Sequence, residues 1–239
     1  MFNIISNVNI APMVFEMVVY GEDNTNPKPG QFINIKIDGM YLRRPISVCD
    51  AWENKIKIIY KTVGRGTEHL SEMKSGECLD ILTNLGNGYD LSVECDNPVL
   101  IGGGVGVPPL YMLSKKLVEM GKNVSVILGF NTRSEVFYEE KFSQLGANVL
   151  VTTVDGSYGI KGFVTDALKK IYYDYFYTCG PEHMLMAVYN ITDTSGQFSF
   201  ERRMGCGFGA CMGCSCKTIT GNKRICKEGP VLFKEDIIW

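Results

Sequence analysis

Apolar and polar positions alternate in short runs over the first ninety residues. MVFEMVVY (13–20), QFINIKI (31–37), KIKIIYK (55–61) and ECLDIL (77–82) carry the near-alternating pattern of strands with one buried face. Turn-forming stretches such as NTNPKPG and DG separate them, so the pattern predicts an antiparallel barrel or sandwich with a single helical insert at GTEHLSEMK (66–74). From Pro98 the texture changes. PVLIGG, PPLYMLSKKLVEMG, VSVILGF, VFYEEKFSQLG, NVLVTT, VTDALKKI, YFYTCG and PEHMLMAVYN alternate strand and helix, the signature of a doubly wound parallel sheet that binds ligand at the carboxyl ends of its strands. Beyond FSFERR (198–203) the chain is rich in Gly and Cys, has no helical period, and holds too few large apolar residues for a core of its own. The division expected from these textures is a barrel over 1–93, an α/β nucleotide-binding half over 94–197, and a terminal segment over 198–239 that something other than burial must order.

Composition adds mainly exclusions. The net charge is −2 over 239 residues, too small a field to hold a polyanion, so neither nucleic acid nor an anionic membrane is an expected partner. No Lys or Arg occurs in the first twenty residues, and the apolar runs fall well short of the roughly 18 residues a membrane span needs. A soluble, cytoplasmic protein is expected. His69 and His183 stand beside Glu68 and Glu182 on expected helices and read as solvated.

The nine cysteines divide into two groups. Cys49, Cys78, Cys95 and Cys179 are scattered through strand-like apolar surroundings, and the first three read as core thiols. The other five crowd between Cys206 and Cys226. Cys206, Cys211 and Cys214 have the spacing C-x4-C-x2-C, with Cys226 as a fourth thiolate, the ligand run of a plant-type [2Fe–2S] cluster. Glycines 205, 207, 209 and 213 let the backbone wrap an anionic cluster and aim N–H groups at it. A structural zinc site is the competing metal reading, but zinc sites usually pair cysteines as C-x2-C twice. Cys216 exceeds the four-ligand count and reads as a bystander.

The loop IGGGVGVPPL follows an apolar strand and precedes a helix that opens on Pro108 or Pro109, a placement whose free N–H groups suit phosphate. The strict G-x-G-x-x-G fingerprint fails, because Val107 replaces its last glycine and no acidic residue stands close to 20 positions beyond Gly104.

Several motifs taken together resemble the ferredoxin–NAD(P)H reductase superfamily. YLRRPISV (41–48) is similar to its R-x-x-S flavin motif, IIYKTVGRGTEHL (58–70) to its second FAD segment, GGGVGVPPL to its nicotinamide loop, and YTCGPEHM to its C-G-P segment. The resemblance implies FAD held by Arg44, Pro45, Ile46 and Ser47, by Ile59, Tyr60 and Lys61, and by Gly66 and Thr67. It likewise implies an exchangeable NAD against Gly102, Gly103, Gly104, Gly106, Cys179 and Gly180, with Ser47 and Cys179 near the reacting rings and no acid–base residue required. With the cysteine run at Cys206, Cys211, Cys214 and Cys226, and the flanking LGNGYDL (85–91), VDGSYGIKGFVTDAL (154–168) and GPVLF, nearly the whole chain resembles the electron-transfer subunits of dihydroorotate dehydrogenase B. Thr83 and Asn84 stand where that family usually has Gly-Pro, and Val154 where an Asp is common.

The resemblance further implies an FMN-containing catalytic subunit as partner, in a heterotetramer of two of each, serving pyrimidine synthesis. Electrons then run from FMN through the cluster and FAD to NAD⁺. A subunit of a sulfide dehydrogenase or a ferredoxin–NADP reductase keeps the cofactors and changes the partner, and a zinc-stabilised binding module is the alternative of another class. Arg133, after the second nucleotide strand, leaves NAD against NADP open at this stage.

Overall fold

The computed structural model describes residues 1–22 and 25–239. Its amino-terminal part is a closed barrel of β1 (Phe2–Ala11), β2 (Val14–Gly21), β3 (Phe32–Lys36), β4 (Arg44–Trp52), β5 (Lys55–Lys61) and β6 (Cys78–Leu85), in the order β1-β2-β5-β4-β3-β6. Every pairing is antiparallel. Ile4, Met17, Ile33, Ile35, Val48, Ile56 and Ile58 fill the interior, and the β-branched isoleucines and valine suit the pleat. Helix α1 (Arg65–Glu72) lies between β5 and β6 and drops Leu70 into the same core. The expectation of a barrel holds. The first and fourth of its strands were not among the four runs marked by periodicity: β1 carries two register shifts that break its alternation, and β4 opens on charged and proline residues.

The second part is a seven-stranded sheet in the order β10-β9-β8-β7-β11-β12-β15. Strands β7 (Pro98–Gly103), β8 (Ser125–Phe130), β9 (Asn148–Thr153), β10 (Ile160–Lys161), β11 (Tyr175–Cys179) and β12 (Gly196–Ser199) run parallel. The chain steps outward from β7 to β10 and then returns to place β11 on the other side of β7, so the switch point where such sheets bind ligand lies between β7 and β11. On one face Leu100, Val126 and Leu128 pack with Leu110, Leu113 and Leu117 of α2 (Pro109–Glu119) and Phe142 of α3 (Glu139–Gln144). On the other, Val99, Ile101 and Ile127 meet Val164, Ala167 and Leu168 of α4 (Val164–Leu168) and Leu185 and Val188 of α5 (Glu182–Ile191). Among the described residues no helix is long and apolar enough to cross a membrane.

The terminal segment adds a hairpin of β13 (Ser215–Thr218) and β14 (Gly221–Arg224), then β15 (Val231–Phe233), an antiparallel edge strand on β12. Two expectations change here. The boundary at 197/198 cuts through β12, and the segment is ordered by burial after all: Cys214, Ile225, Cys226, Leu232 and Ile237 share a core with Phe32, Ile101 and Phe198. Its apolar residues are too few for a core of their own but enough to complete one that the neighbouring sheet already supplies. Barrel and sheet meet across α2, where Met112 reaches the barrel core, Lys115 lies 3.6 Å from Asp50, and Ile59 and Cys49 join the core beneath the sheet. Tyr138 O–H donates to Glu16 across the same joint at 2.6 Å.

Candidate functional site

The expected flavin residues gather at one mouth of the barrel. Strands β4 and β5 pair from Trp52–Lys55 to Val48–Ile58, with a register shift at Cys49, and there the pairing stops. Ile59, Tyr60 and Lys61 pair only with Glu16, Phe15 and Val14 on β2, which leaves their other backbone edge open beside Ser47. Ser47 is half-buried between Ile46 and Val48, both turned into the barrel core, so its hydroxyl faces outward. Two of these side chains are taken up by the cores. Tyr60 is sealed in the barrel with its O–H on Asn7 Oδ1 at 2.9 Å, its phenol pushed up to about 12 by burial, and Ile59 is packed beneath the sheet. Ile59 and Tyr60 therefore offer a ligand their backbone edge rather than their side chains.

Of two consecutive arginines, Arg43 is consumed by structure: it makes a two-pronged pair with Asp80 at 3.0 and 2.9 Å and reaches the carbonyl of Asn34 at 3.3 Å. Arg44 has no carboxylate partner among the described residues and touches the Leu42 carbonyl through Nη1. Its guanidinium packs over Gly66 in the first turn of α1. That turn has no side-chain cap, so its leading N–H groups lack partners within the helix. Thr67 Oγ1 instead accepts from Val63 N–H at 2.9 Å and donates to the Gly64 carbonyl at 3.0 Å, shaping the turn rather than facing out. A fixed cationic fork beside unpaired helix N–H groups is suited to a pyrophosphate.

The glycine loop and the C-G-P segment are neighbours at the β7–β11 switch point. Cys179 is in register with Gly102. A Cβ on Gly106 would stand 2.3 Å from the Cys179 carbonyl oxygen, and one on Gly103 would stand 2.5 Å from Met184 Sδ. Glycine is thus required at both positions by close approach. Cys179 is half-buried, its thiol pushed up to about 12 by burial despite a hydrogen bond with Ser199. β5 packs directly on the Gly104–Gly106 turn, so the open edge of the barrel faces this crevice. Arg133 lies over the Tyr158 ring, 5.4 Å from its centroid.

The four expected cluster thiols fall into two pairs. Ala210 and Cys211 point backbone N–H groups at Cys206 Sγ (3.2 and 3.4 Å), and Cys206 N–H points at Cys211 Sγ (3.4 Å). Cys226 N–H points at Cys214 Sγ (3.4 Å). Among the described residues no group of three or more His, Cys, Asp or Glu side chains is gathered closely enough to hold a metal ion. Two thiols for each of two irons is the demand of a dinuclear cluster, and the donated N–H groups match anionic sulfur. Burial pushes the Cys206 thiol up, but the N–H groups of Phe208, Cys211 and Ala210 outweigh it and bring it to about 6. Burial and the adjacent Cys214 push Cys226 to about 12. Cys216 stands on β13, outside both pairs.

Several residues were missed by sequence reasoning. Arg224 donates to the Gly209 carbonyl at 2.6 Å while its fork is gripped by Glu228, anchoring the cysteine loop. Asn34 Nδ2 donates to the Cys206 carbonyl at 3.2 Å across 172 positions of sequence; the only available signal was a polar residue between Ile33 and Ile35, which reads as ordinary strand alternation. Of the scattered cysteines expected in the core, Cys49 and Cys95 are buried, though Cys95 lies in a loop. Cys78 is exposed, its thiol on Asn3 Oδ1 at 2.9 Å, because it opens β6 at the barrel rim. His69 and His183 are exposed on α1 and α5.

Comparison with known proteins matches the second and third parts by family and nearly the whole chain by relatives. Residues 201–238 match the iron–sulfur cluster binding domain of dihydroorotate dehydrogenase B, and residues 100–190 match the oxidoreductase NAD-binding domain. The chain is 44% identical to the dihydroorotate dehydrogenase B (NAD⁺) electron transfer subunit of Fusobacterium nucleatum, over 97% of this chain and 95% of that one. It is 42% identical to the subunit of the same name from Bacillus pumilus, over 98% and 96%. The solved structure of an NADH-dependent reduced ferredoxin–NADP oxidoreductase, studied for flavin-based electron bifurcation, superposes with a TM-score of 0.91 at 30% identity, covering 100% of this chain and 90% of that one.

Proposed function

The chain belongs to the family of electron-transfer subunits of dihydroorotate dehydrogenase B, and from that membership we propose that it carries electrons from the FMN of a dihydroorotate-oxidising catalytic subunit, through a [2Fe–2S] cluster and FAD, to NAD⁺. A catalytic subunit is implied by the relatives' shared name; two copies of each chain, a cytoplasmic setting and service to pyrimidine synthesis complete the reading. The observation that carries it is the pairwise gathering of Cys206 with Cys211 and of Cys214 with Cys226 against the outer face of β3, whose neighbour β4 carries the expected flavin motif.

A bound flavin exchanges a hydride's two electrons with a nicotinamide and single electrons with a cluster. The chain's own residues supply position and charge. Arg44 and the first N–H groups of α1 hold the pyrophosphate of FAD, and the backbone edge of Ile59–Lys61 with the Ser47 hydroxyl offers polar partners to its ring. Gly104, with open space where a side chain would stand, offers its backbone to a nicotinamide, while Gly103, Gly106 and Gly180 are glycines because Met184 and Cys179 press against them. Cys206, Cys211, Cys214 and Cys226 are the proposed iron ligands, with the N–H groups of residues 206, 210, 211 and 226 offsetting the negative charge on sulfur. Gly102, Gly103, Gly104, Gly106, Arg44, Pro45, Ile46, Ser47 and Lys61 complete the proposed contacts.

Purified chain is expected to contain two irons, two acid-labile sulfides and one FAD, and mixing it with an FMN-containing dihydroorotate dehydrogenase chain should restore dihydroorotate-dependent NAD⁺ reduction. A fully loaded mixture without that activity would refute the pyrimidine assignment, and reduction of NADP⁺ with sulfide or ferredoxin as donor would replace it.

A further inference from the structure

The outer face of β3 is the seat on which the cysteine segment rests. Ile33 and Ile35 point into the barrel, and by strand alternation Phe32 and Asn34 point outward. Phe32 packs in one core with Cys214, Ile225 and Cys226. Asn34 is 1% exposed, donates through Nδ2 to the carbonyl of Cys206, and has no partner for its Oδ1 among the described residues. Turning the amide over would set Oδ1 against the Cys206 carbonyl, two acceptors face to face, so the donor assignment is forced. An aliphatic side chain would fill this position without leaving a buried amide oxygen unpaired. The amide is therefore kept for what it holds rather than for the stability of the barrel.

What it holds lies between the two proposed redox sites. Asn34 is in register with Pro45, and Phe32 with Ser47, inside the flavin motif. Its own carbonyl is braced by Arg43, itself clamped by Asp80. On the far side Gly207 presses so close that a Cβ there would stand 2.2 Å from Asn34 Nδ2, and its φ of +76° keeps the Cys206–Gly207 peptide turned toward β3. Cys206, Asn34 and the Arg44–Ser47 strand thus form one rigid, hydrogen-bonded connection.

We propose that Asn34 is a positioning residue for electron passage, fixing the Cys206 limb of the cluster against the flavin-binding strand and supplying a hydrogen-bonded connection between them. The inference rests on the proposed placement of cluster and FAD. Arg43 and Asp80 serve the same end at one remove, which explains why the arginine next to the free Arg44 is spent on a surface carboxylate.

The test uses holoprotein reduced by NADH, which is oxidised to NAD⁺ as its two electrons enter the flavin, each cluster then taking one to convert a ferric iron to ferrous. Stopped-flow absorbance separates flavin bleaching from cluster bleaching, and electron paramagnetic resonance of the reduced cluster reports its geometry. In Asn34→Ala and in Gly207→Ala the flavin-to-cluster step should slow roughly tenfold or more, the NADH-to-flavin step should change by no more than about twofold, and the cluster's resonance should broaden or shift. Cluster reduction at the wild-type rate in either iron-replete variant would overturn the proposal, as would an equal slowing of both steps. If Asn34→Ala holds no iron, Gly207→Ala decides by the same split; loss of the cluster from both assigns Asn34 to loop folding alone and also overturns it. Wild-type protein lacking iron or flavin would instead defeat the functional reading on which this one stands.

Discussion

The guanidinium of Arg44 lies across the backbone of Gly66, so that a Cβ added there would stand 2.4 Å from Arg44 Nε and 2.7 Å from Nη2. This contact brings together residues from two separate motifs, on β4 and α1, that are proposed to hold one pyrophosphate. Gly66→Ala must push the fork aside without removing any charge. We expect FAD to bind more weakly by about 1.5–3 kcal/mol, or about 10–100-fold in Kd, the worth of a hydrogen bond to a charged group. Fluorescence titration of apoprotein with FAD measures it, and unchanged affinity would remove Arg44 from the pyrophosphate site.

Gly106 meets the Cys179 carbonyl in the same intimate way. Gly106→Ala would force the two loops of the switch point apart by a fraction of an ångström, and a misplacement near 1 Å costs about 10²-fold in a positioned reaction. The NADH-to-flavin step should slow by about that factor while FAD content stays at wild-type level, as read by stopped-flow absorbance and by flavin release on heating.

The cysteine thiols of the iron-free protein should titrate far apart. Cys206 is held at about 6 and Cys226 is pushed to about 12. Thiolate is the reactive form and exists above each group's pKa, so at pH 7 iodoacetamide should label Cys206 well ahead of Cys226. Peptide mass spectrometry over a pH series should show Cys206 labelling level off just above pH 6. Equal labelling of the two would contradict the N–H cradle around Cys206.

Glu228 grips Arg224, and the guanidinium holds its carboxyl down at about 2 against an ordinary value of 4.5. A depressed carboxylate adds stability that is complete above its unfolded pKa and is lost as the pH falls through the folded one. The loop anchored at Gly209 should therefore loosen between about pH 4.5 and 2. Wild-type protein should keep its visible cluster absorbance to lower pH than Glu228→Gln, which lacks this contribution at neutral pH as well.

Sequence alone determined the classes of element and the chemistry. Periodicity distinguishes barrel from parallel sheet because side-chain alternation is a local property, and the C-x4-C-x2-C spacing names its cofactor because ligand geometry restricts the loop that carries it. It also marked Arg44, Gly66, Gly106 and Cys179 as candidates, each on its own segment. Tertiary structure decided which neighbouring side chains the fold itself takes up: Tyr60 and Ile59 are spent on cores, Thr67 on a turn, Arg43 on Asp80. Only the folded chain joins Asn34 to Cys206. Such pairings depend on register and packing between segments far apart in the chain, and a buried amide facing a distant carbonyl leaves no local pattern to read.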